Sequence, residues 1–261
     1  MISMPYLKQV IKSNIKFLGA FTLVLCLFLI VMTNVFTPET VKDLQSATQG
    51  TFAAHILTGN GTLIGFMSNS FYALMAIIFP MVYSIMVGNR MIAEKIDKGN
   101  MAGFLATPTT RLQITCTSAL YFILSLIVMW GIASLVGVAA ATAFQPDALD
   151  VETFLIMNAG AFLYHLVISS ICFCASCICN SSKTSLTIGA GIPLYFFVIS
   201  LFIKLSEDLD VLKYVTLNTL FDTQSILSGD GYVGSFIIMT IVATILYLIG
   251  IIWFEKKDLP L

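Results

Sequence analysis

Charged residues are scarce in this sequence, making up 10% of its 261 residues against 58% for apolar ones. An ordinary soluble domain carries about 25% charged residues, so a water-soluble globule is excluded. The 13 Lys and Arg nearly balance the 14 Asp and Glu, which gives a net charge of -1. That balance argues against a basic protein that binds nucleic acid.

The few charges leave six long uncharged runs. They are residues 17–36, 63–89, 112–144, 153–182, 184–203 and 231–254. Each run reaches the approximately 20 residues with which an α-helix crosses a hydrocarbon core. We therefore predict an all-α, polytopic membrane protein with six transmembrane helices in a single domain over 1–261. Ala133, Gly137 and Ala141 recur every four positions in the third run and predict a close helix contact there.

The basic residues predict how these spans are oriented. With the amino terminus inside, ten of the 13 Lys and Arg fall in the inner segments, and ten of the 14 acidic residues fall outside. Because Lys and Arg accumulate in cytoplasmic loops, both termini are expected to be cytoplasmic. The first run is about twice as long as the core of a secretory signal, so we expect it to remain in the mature chain.

Residues 1–16 precede the first span and carry a helical pattern. Ser3 is a plausible cap for a helix entered through Pro5, with Lys8, Lys12 and Lys16 on one face. Another face is apolar: Met4, Leu7, Ile11, Ile15 and Leu18. This pattern is typical of an interfacial helix. A plain positively charged flank is the alternative.

The connection from Arg90 to Arg111, called the 90–111 segment below, is the longest predicted inner loop. Asn100 is expected to cap a short helix over 101–106. One face of that helix is apolar and is formed by Met101, Phe104 and Leu105. Such an apolar knob is suited to docking into a groove on a cytosolic partner. A solvated loop that touches the membrane surface is the alternative.

Two further features mark the end of the same segment. Thr107-Pro108 is expected to stop the short helix, since proline cannot continue it. Thr110 and Gln113 have the spacing of a capping box, which predicts the start of the third span there.

Polar side chains inside the spans are candidates for a translocation path. His165 lies near the middle of the fourth run, and Asn158 and Ser169 share its helix face. Asn69 and Ser70 are the equivalent candidates in the second run. An ionisable group at such depth is a functional candidate by default. The alternative is a neutral imidazole that hydrogen-bonds between helices.

Motifs for catalysis and metal binding are lacking. No Gly-x-Ser-x-Gly nucleophile motif or metal-binding histidine pair occurs, so no catalytic residue is predicted. Cys172, Cys174, Cys177 and Cys179 are clustered, but on a helix they point to nearly opposite faces and cannot converge on one metal ion. No carboxylate lies in any run, which disfavours an ion-coupled secondary carrier.

Three stretches carry a resemblance to a known family. The first is Glu94-Lys95, then Gly99-Asn100-Met101, then Leu105-Ala106-Thr107-Pro108 and Arg111. The others are Leu212-Lys213-Tyr214 through Leu220-Phe221-Asp222, and Phe254-Glu255-Lys256-Lys257-Asp258-Leu259. Together with six spans, this pattern resembles the permease subunits of type-2 ATP-binding-cassette (ABC) exporters.

The resemblance implies an organisation and a set of contacts. It implies an interfacial elbow helix over 1–16, a coupling helix within 90–111 and a short external helical segment over 205–230. The residues expected to contact or couple to the partner ATPase are Glu94, Gly99, Met101, Phe104, Leu105, Thr107, Pro108 and Arg111. Of these, Glu94 and Arg111 are expected to transmit motion through charged hydrogen bonds.

The resemblance also implies partners. The chain has no G-x-x-x-x-G-K-[ST] motif, so ATP and Mg²⁺ are expected on a separate cytosolic ATPase, and this chain needs no cofactor. A second permease copy or a paralogue and membrane lipids are expected neighbours in a bacterial cytoplasmic membrane. The expected substrate is an amphipathic peptide or peptide toxin, with lipids and hydrophobic drugs as alternatives.

Overall fold

The computed structural model describes residues 2–35, 62–203 and 216–259. Within these ranges, six helical stretches are long and apolar enough to cross a membrane, so the predicted number of spans is confirmed. The first, third, fourth, fifth and sixth are single helices: α1 (Met4–Val35), α6 (Arg111–Phe144), α7 (Val151–Ile178), α8 (Ser182–Ile203) and α10 (Tyr232–Lys256).

The second span is built from several pieces. It consists of α2 (Leu63–Ser70), a π-helical turn (Phe71–Met75), α3 (Ala76–Met91) and the short α4 (Ala93–Asp97). Pro80 lies inside α3, where it lacks the N–H that would complete the helical ladder. The second span is therefore less regular than the others.

Side-chain caps explain where several helices begin. The predicted capping box is confirmed: Gln113 N–H donates to Thr110 Oγ1 at 3.2 Å, and the Thr110 N–H donates to Gln113 Oε1 at 3.1 Å. Asp150 caps α7 by accepting from the N–H groups of Glu152 and Thr153. Each cap satisfies N–H groups that have no partner within the helix.

The fourth span, α7, forms the centre of the bundle. In its most apolar window 72% of residues are buried, against 17% for α1 and for α8. Small residues allow neighbours to approach it closely. A Cβ added at Gly137 of α6 would lie 2.4 Å from the Phe154 ring, and Ala133 and Ala141 beside it are buried. The predicted close contact along this stripe is thus present between α6 and α7.

The amino-terminal part of α1 does not bury the face that the apolar pattern favours. Tyr6, Val10 and Asn14 are the buried residues, whereas Met4, Ile11 and Ile15 are exposed. In a membrane protein an apolar face is left exposed where it meets lipid, so the stripe is the outer face of the helix. Because α1 is one helix from Met4 to Val35, the interfacial elbow over 1–16 stays a prediction.

The external segment before the sixth span is described from residue 216 onward. It contains a 3₁₀ turn (Leu217–Leu220) and α9 (Thr223–Ser228), which ends at Gly229 with φ 79°. Residues 204–215, which include Leu212-Lys213-Tyr214, lie outside the described residues.

Candidate functional site: the segment between the second and third spans

Two backbone breaks shape the 90–111 segment. Ile92, with φ -132° and ψ -62°, separates α3 from α4, and Gly99, with φ 71°, separates α4 from α5 (Asn100–Leu105). Glycine adopts a positive φ without the steric cost that a Cβ brings, which explains the residue at this turn. The predicted role of Asn100 is wrong: Gly99 is the N-cap residue, and Asn100 is the first residue of the helix.

The apolar face of α5 is turned toward the bundle. Met101 is fully buried, and Phe104 and Leu105 are half-buried against the hydrophobic core. The predicted outward-facing knob is therefore wrong in direction, because the short helix gains more by burying these side chains against its own spans. The exposed residues of the segment are small or polar: Asn100, Ala102, Gly103, Ala106, Thr107, Pro108 and Thr110.

Glu94 makes ion pairs only within its own part of the segment. Its Oε1 lies 2.6 Å from Lys98 Nζ, and its Oε2 lies 3.8 Å from Arg90 Nε. Both pairs join residues four apart, and all three side chains are partly exposed. Such surface pairs contribute about 0–1 kcal/mol. In this structure Glu94 stiffens α4 and the end of α3 instead of linking separate spans.

The connection from α4 to the other spans runs through its neighbour Lys95. Lys95 Nζ donates to Tyr6 Oη at 2.8 Å and lies 4.6 Å from the centre of the Tyr6 ring. Tyr6 Oη also lies 3.3 Å from Ser118 Oγ of α6 and 3.5 Å from the carbonyl oxygen of Met91. Phe104 of α5 packs edge-on against the Tyr6 ring, at 5.4 Å between centroids.

We call Tyr6, Lys95, Phe104 and Ser118 the Tyr6 cluster. It joins α1, α4, α5 and α6, and the Met91 carbonyl adds the end of α3. Sequence patterns missed it because Lys95 reads as one of several basic residues in an inner loop. The only signal was the spacing of Tyr6, Val10 and Asn14 along a second face of α1.

The end of the segment is linked to the carboxyl-terminal tail. Arg111 Nη1 donates to the carbonyl oxygen of Lys257 at 2.6 Å. Lys257 Nζ in turn donates to the carbonyl oxygens of Cys177 and Cys179, at 3.1 and 2.7 Å. A cation at a helix carboxyl end is favourable, and these bonds satisfy carbonyls that the end of α7 leaves unpaired. Burial lowers the pKa of Lys257.

Thr107 and Pro108 complete the segment. Thr107 Oγ1 donates to the carbonyl oxygen of Phe104 at 2.6 Å, which closes the end of α5. Pro108 follows on the exposed turn that leads to α6. The expected helix stop is therefore present, and α5 ends at Leu105.

Comparison with known families decides the class of this bundle. The profile of the ABC-2 family transporter proteins matches residues 11–259, which is nearly the whole chain. This chain belongs to the ABC-2 transporter family. No curated protein matches it. The family is a membrane transport component, so the chain is an ABC-2 type permease, and the resemblance seen in the sequence is confirmed at that level.

The polar residues inside this ABC-2 permease do not share one site. Asn69 Oδ1 accepts from Gln224 of α9 at 3.2 Å, so it holds the external segment. Ser169 Oγ lies 2.8 Å from Tyr247 Oη of α10. Ser70 is buried at the end of α2, and Asn158 Nδ2 donates to Phe154 O of its own helix. These residues face different neighbours.

His165 connects α7 to α3 in the middle of the permease. It is fully buried, with Nδ1 2.7 Å from the carbonyl oxygen of Ala161 and Nε2 3.2 Å from that of Ile77. Ile77 lies three residues before Pro80, where the missing proline N–H disturbs the helical ladder. The contact agrees with a histidine that hydrogen-bonds between helices.

The clustered cysteines of the permease are buried in different surroundings. Cys172 Sγ donates to the Gly189 carbonyl oxygen of α8 at 3.2 Å, while Cys177 and Cys179 offer their backbone carbonyls to Lys257. Within the described ranges, no group of three or more His, Cys, Asp or Glu side chains is arranged to hold a metal ion.

Proposed function

We propose that this ABC-2 permease is the membrane subunit of an exporter driven by a separate cytosolic ATPase, which docks on the 90–111 segment. The observation that carries the proposal is the construction of this segment. It is a folded turn of two short helices, packed back onto the spans by the Tyr6 cluster and by Arg111. Motion imposed on it is therefore passed to several spans.

The docking surface in this proposal is the exposed side of α5 and the turn after it. Small side chains such as Ala102, Gly103 and Ala106 allow a partner backbone to approach closely. The ATPase, with its bound ATP and Mg²⁺, would press on this side while Met101 transmits the load to the core. Two permeases, identical or paralogous, would then rock between inward-open and outward-open forms across a bacterial cytoplasmic membrane, with their termini in the cytoplasm.

The test of docking is co-purification with an ATPase encoded by a neighbouring reading frame. Ala102→Glu places a long charged side chain on the exposed side of α5 and should release the ATPase. Ala148→Glu makes the same change at an exposed alanine in the loop between α6 and α7 and should retain it. Equal recovery of the ATPase with both variants would refute docking at α5.

Transport itself is tested in proteoliposomes that contain the permease and the ATPase. ATP should drive uptake into vesicles in which the ATPase faces outward. An amphipathic peptide is the proposed substrate, and it should stimulate ATP hydrolysis more than lipids or hydrophobic drugs do. Stimulation by a lipid or a drug alone would replace the peptide assignment. Uptake driven by an ion gradient without ATP would instead indicate a secondary carrier.

A further inference from the structure

The Gly99 turn sets a mechanical problem for any partner that pushes on α5. Its φ of 71° makes the chain reverse between α4 and α5, and an added Cβ there would meet no heavy atom within 4 Å. The turn is therefore open to solvent and is held by nothing at its own position. A push on α5 would be absorbed by bending at Gly99 unless another contact holds the two helices together.

Lys95 makes that contact from the α4 side of the turn. Its Nζ lies 5.2 Å from the centre of the Phe104 ring on α5 and 4.6 Å from that of the Tyr6 ring on α1. Cation–π contacts of this length are attractive, more so when water is excluded. The ammonium thus lies between an aromatic ring of the moving helix and an aromatic ring of the first span.

The hydroxyl of Tyr6 extends the link to the third span. Tyr6 Oη accepts from Lys95 Nζ at 2.8 Å, which leaves its own hydrogen for Ser118 Oγ or the Met91 carbonyl oxygen. Ser118 lies in the third span and is fully buried. A single side chain therefore connects the coupling turn to α1, α6 and the end of α3.

Stability alone does not account for a lysine at this position. Glu94 next to it pairs with Arg90 and Lys98, and in the described part of the chain no carboxylate lies within ion-pair distance of Lys95. An ammonium withdrawn from water with one hydroxyl and two rings as partners carries a desolvation cost. A methionine would fill much of the same space without it.

We infer that Lys95 is the positioning residue that locks α5 to α1 and α6 across the Gly99 turn, so that force applied to the turn reaches the first and third spans. Lys95 acts through Tyr6 and Phe104. The transport half of this inference rests on the proposed exporter function. The mechanical half concerns this chain alone.

The mechanical half is tested by amide hydrogen exchange on the full-length permease in detergent micelles. Lys95→Met should speed exchange over residues 93–105 by about tenfold, a factor that corresponds to the loss of one hydrogen bond to a charged group. Lys95→Arg retains the charge and a donor and should stay within about threefold of the parent protein. Lys98→Met is the matched control on the same segment, because Lys98 is exposed and pairs only with Glu94. Unchanged exchange in Lys95→Met overturns the inference.

Global stability separates positioning from simple packing. Because Lys95→Met removes a desolvated charge, its thermal unfolding midpoint should equal or exceed that of the parent protein. A large fall in the midpoint, together with faster exchange over the whole chain, would assign Lys95 an ordinary structural role and would overturn the inference.

The transport half is tested with the ATPase present. Lys95→Met should keep the ATPase bound while transport per ATP hydrolysed falls about tenfold, and Tyr6→Phe, which removes only the accepting hydroxyl, should act in the same direction. Combining the two changes should add little. Full transport per ATP in Lys95→Met would refute the inference even if ATP drives transport. If the parent protein shows no ATP-driven transport, the exporter proposal fails, and the exchange result decides the role of Lys95 by itself.

Discussion

The two ends of the bundle are both covered by short helices that pack back onto the spans, but the contacts differ in chemistry. At the end that carries the 90–111 segment, charged side chains make the long-range links: Lys95 to Tyr6, Arg111 to the tail and Lys257 to α7. At the opposite end the described contacts of the external segment are aromatic and neutral.

Phe221 and Asn218 hold the external segment. Phe221 stacks on Tyr164 with 6.0 Å between ring centroids and meets Tyr72 edge-on at 6.3 Å. Asn218 Oδ1 accepts from Tyr164 Oη at 2.6 Å, and Asn218 Nδ2 donates to Ser200 Oγ at 2.8 Å. Neutral contacts of this kind are hardly screened by salt, whereas contacts that involve a charge are.

The difference indicates a division of labour. The external end is held by burial and geometry, which suits a fixed cover over α2, α7 and α8. The other end is held by a few charged contacts that neighbouring charges are able to perturb. We therefore expect substitutions at the two ends to differ in size and in salt dependence.

The largest effect is expected at Phe221. Phe221→Ala leaves a cavity between Tyr164 and Tyr72 and should lower the free energy of unfolding by about 3–5 kcal/mol, independently of salt. Denaturation followed by the fluorescence of Trp130 and Trp253 measures this. Phe202→Ala, at an exposed phenylalanine of α8, is the control and should have little effect. Equal effects of the two variants would mean that Phe221 does not anchor the external segment.

An intermediate effect is expected at Lys257. Lys257→Met removes two charge-assisted hydrogen bonds to the end of α7 and should cost about 1.5–3 kcal/mol. Part of that difference should vanish at about 1 M salt, where the Debye length is near 3 Å. Lys256→Met, at the adjacent exposed lysine, is the control. A salt-independent loss at Lys257 would break the contrast between the two ends.

The smallest effect is expected at Tyr164. Tyr164→Phe keeps the ring against Phe221 and removes only the hydroxyl that donates to Asn218, so it should cost about 1 kcal/mol. The loss should be the same in low and high salt. A loss as large as that of Phe221→Ala would show that the hydrogen bond, and not aromatic packing, holds the external segment.

Much of the fold was predictable because the signals are local. Six uncharged runs predicted six spans, and the Thr110–Gln113 spacing predicted the start of α6. The position of the 90–111 segment and the resemblance to the family followed from short stretches of sequence. All of these depend on residues that are near one another in the chain.

The details of the candidate site were less predictable. Helical spacing placed Met101, Phe104 and Leu105 on one face but did not tell whether that face points outward. Glu94 carried the charge signal, yet its partners lie within its own helical turns. The capping preference favoured Asn100, whereas the required positive φ placed Gly99 at the start of the helix.

The sequence by itself determined the membrane class, the number of spans and the place of the short loop helix, because scarce charge and helical periodicity act over a few residues. Only the tertiary structure decided which side chains connect that loop to the bundle. Lys95 and Tyr6 are 89 positions apart in the chain, and Arg111 and Lys257 are 146 apart. Contacts over such separations depend on how the spans pack, which no local pattern specifies.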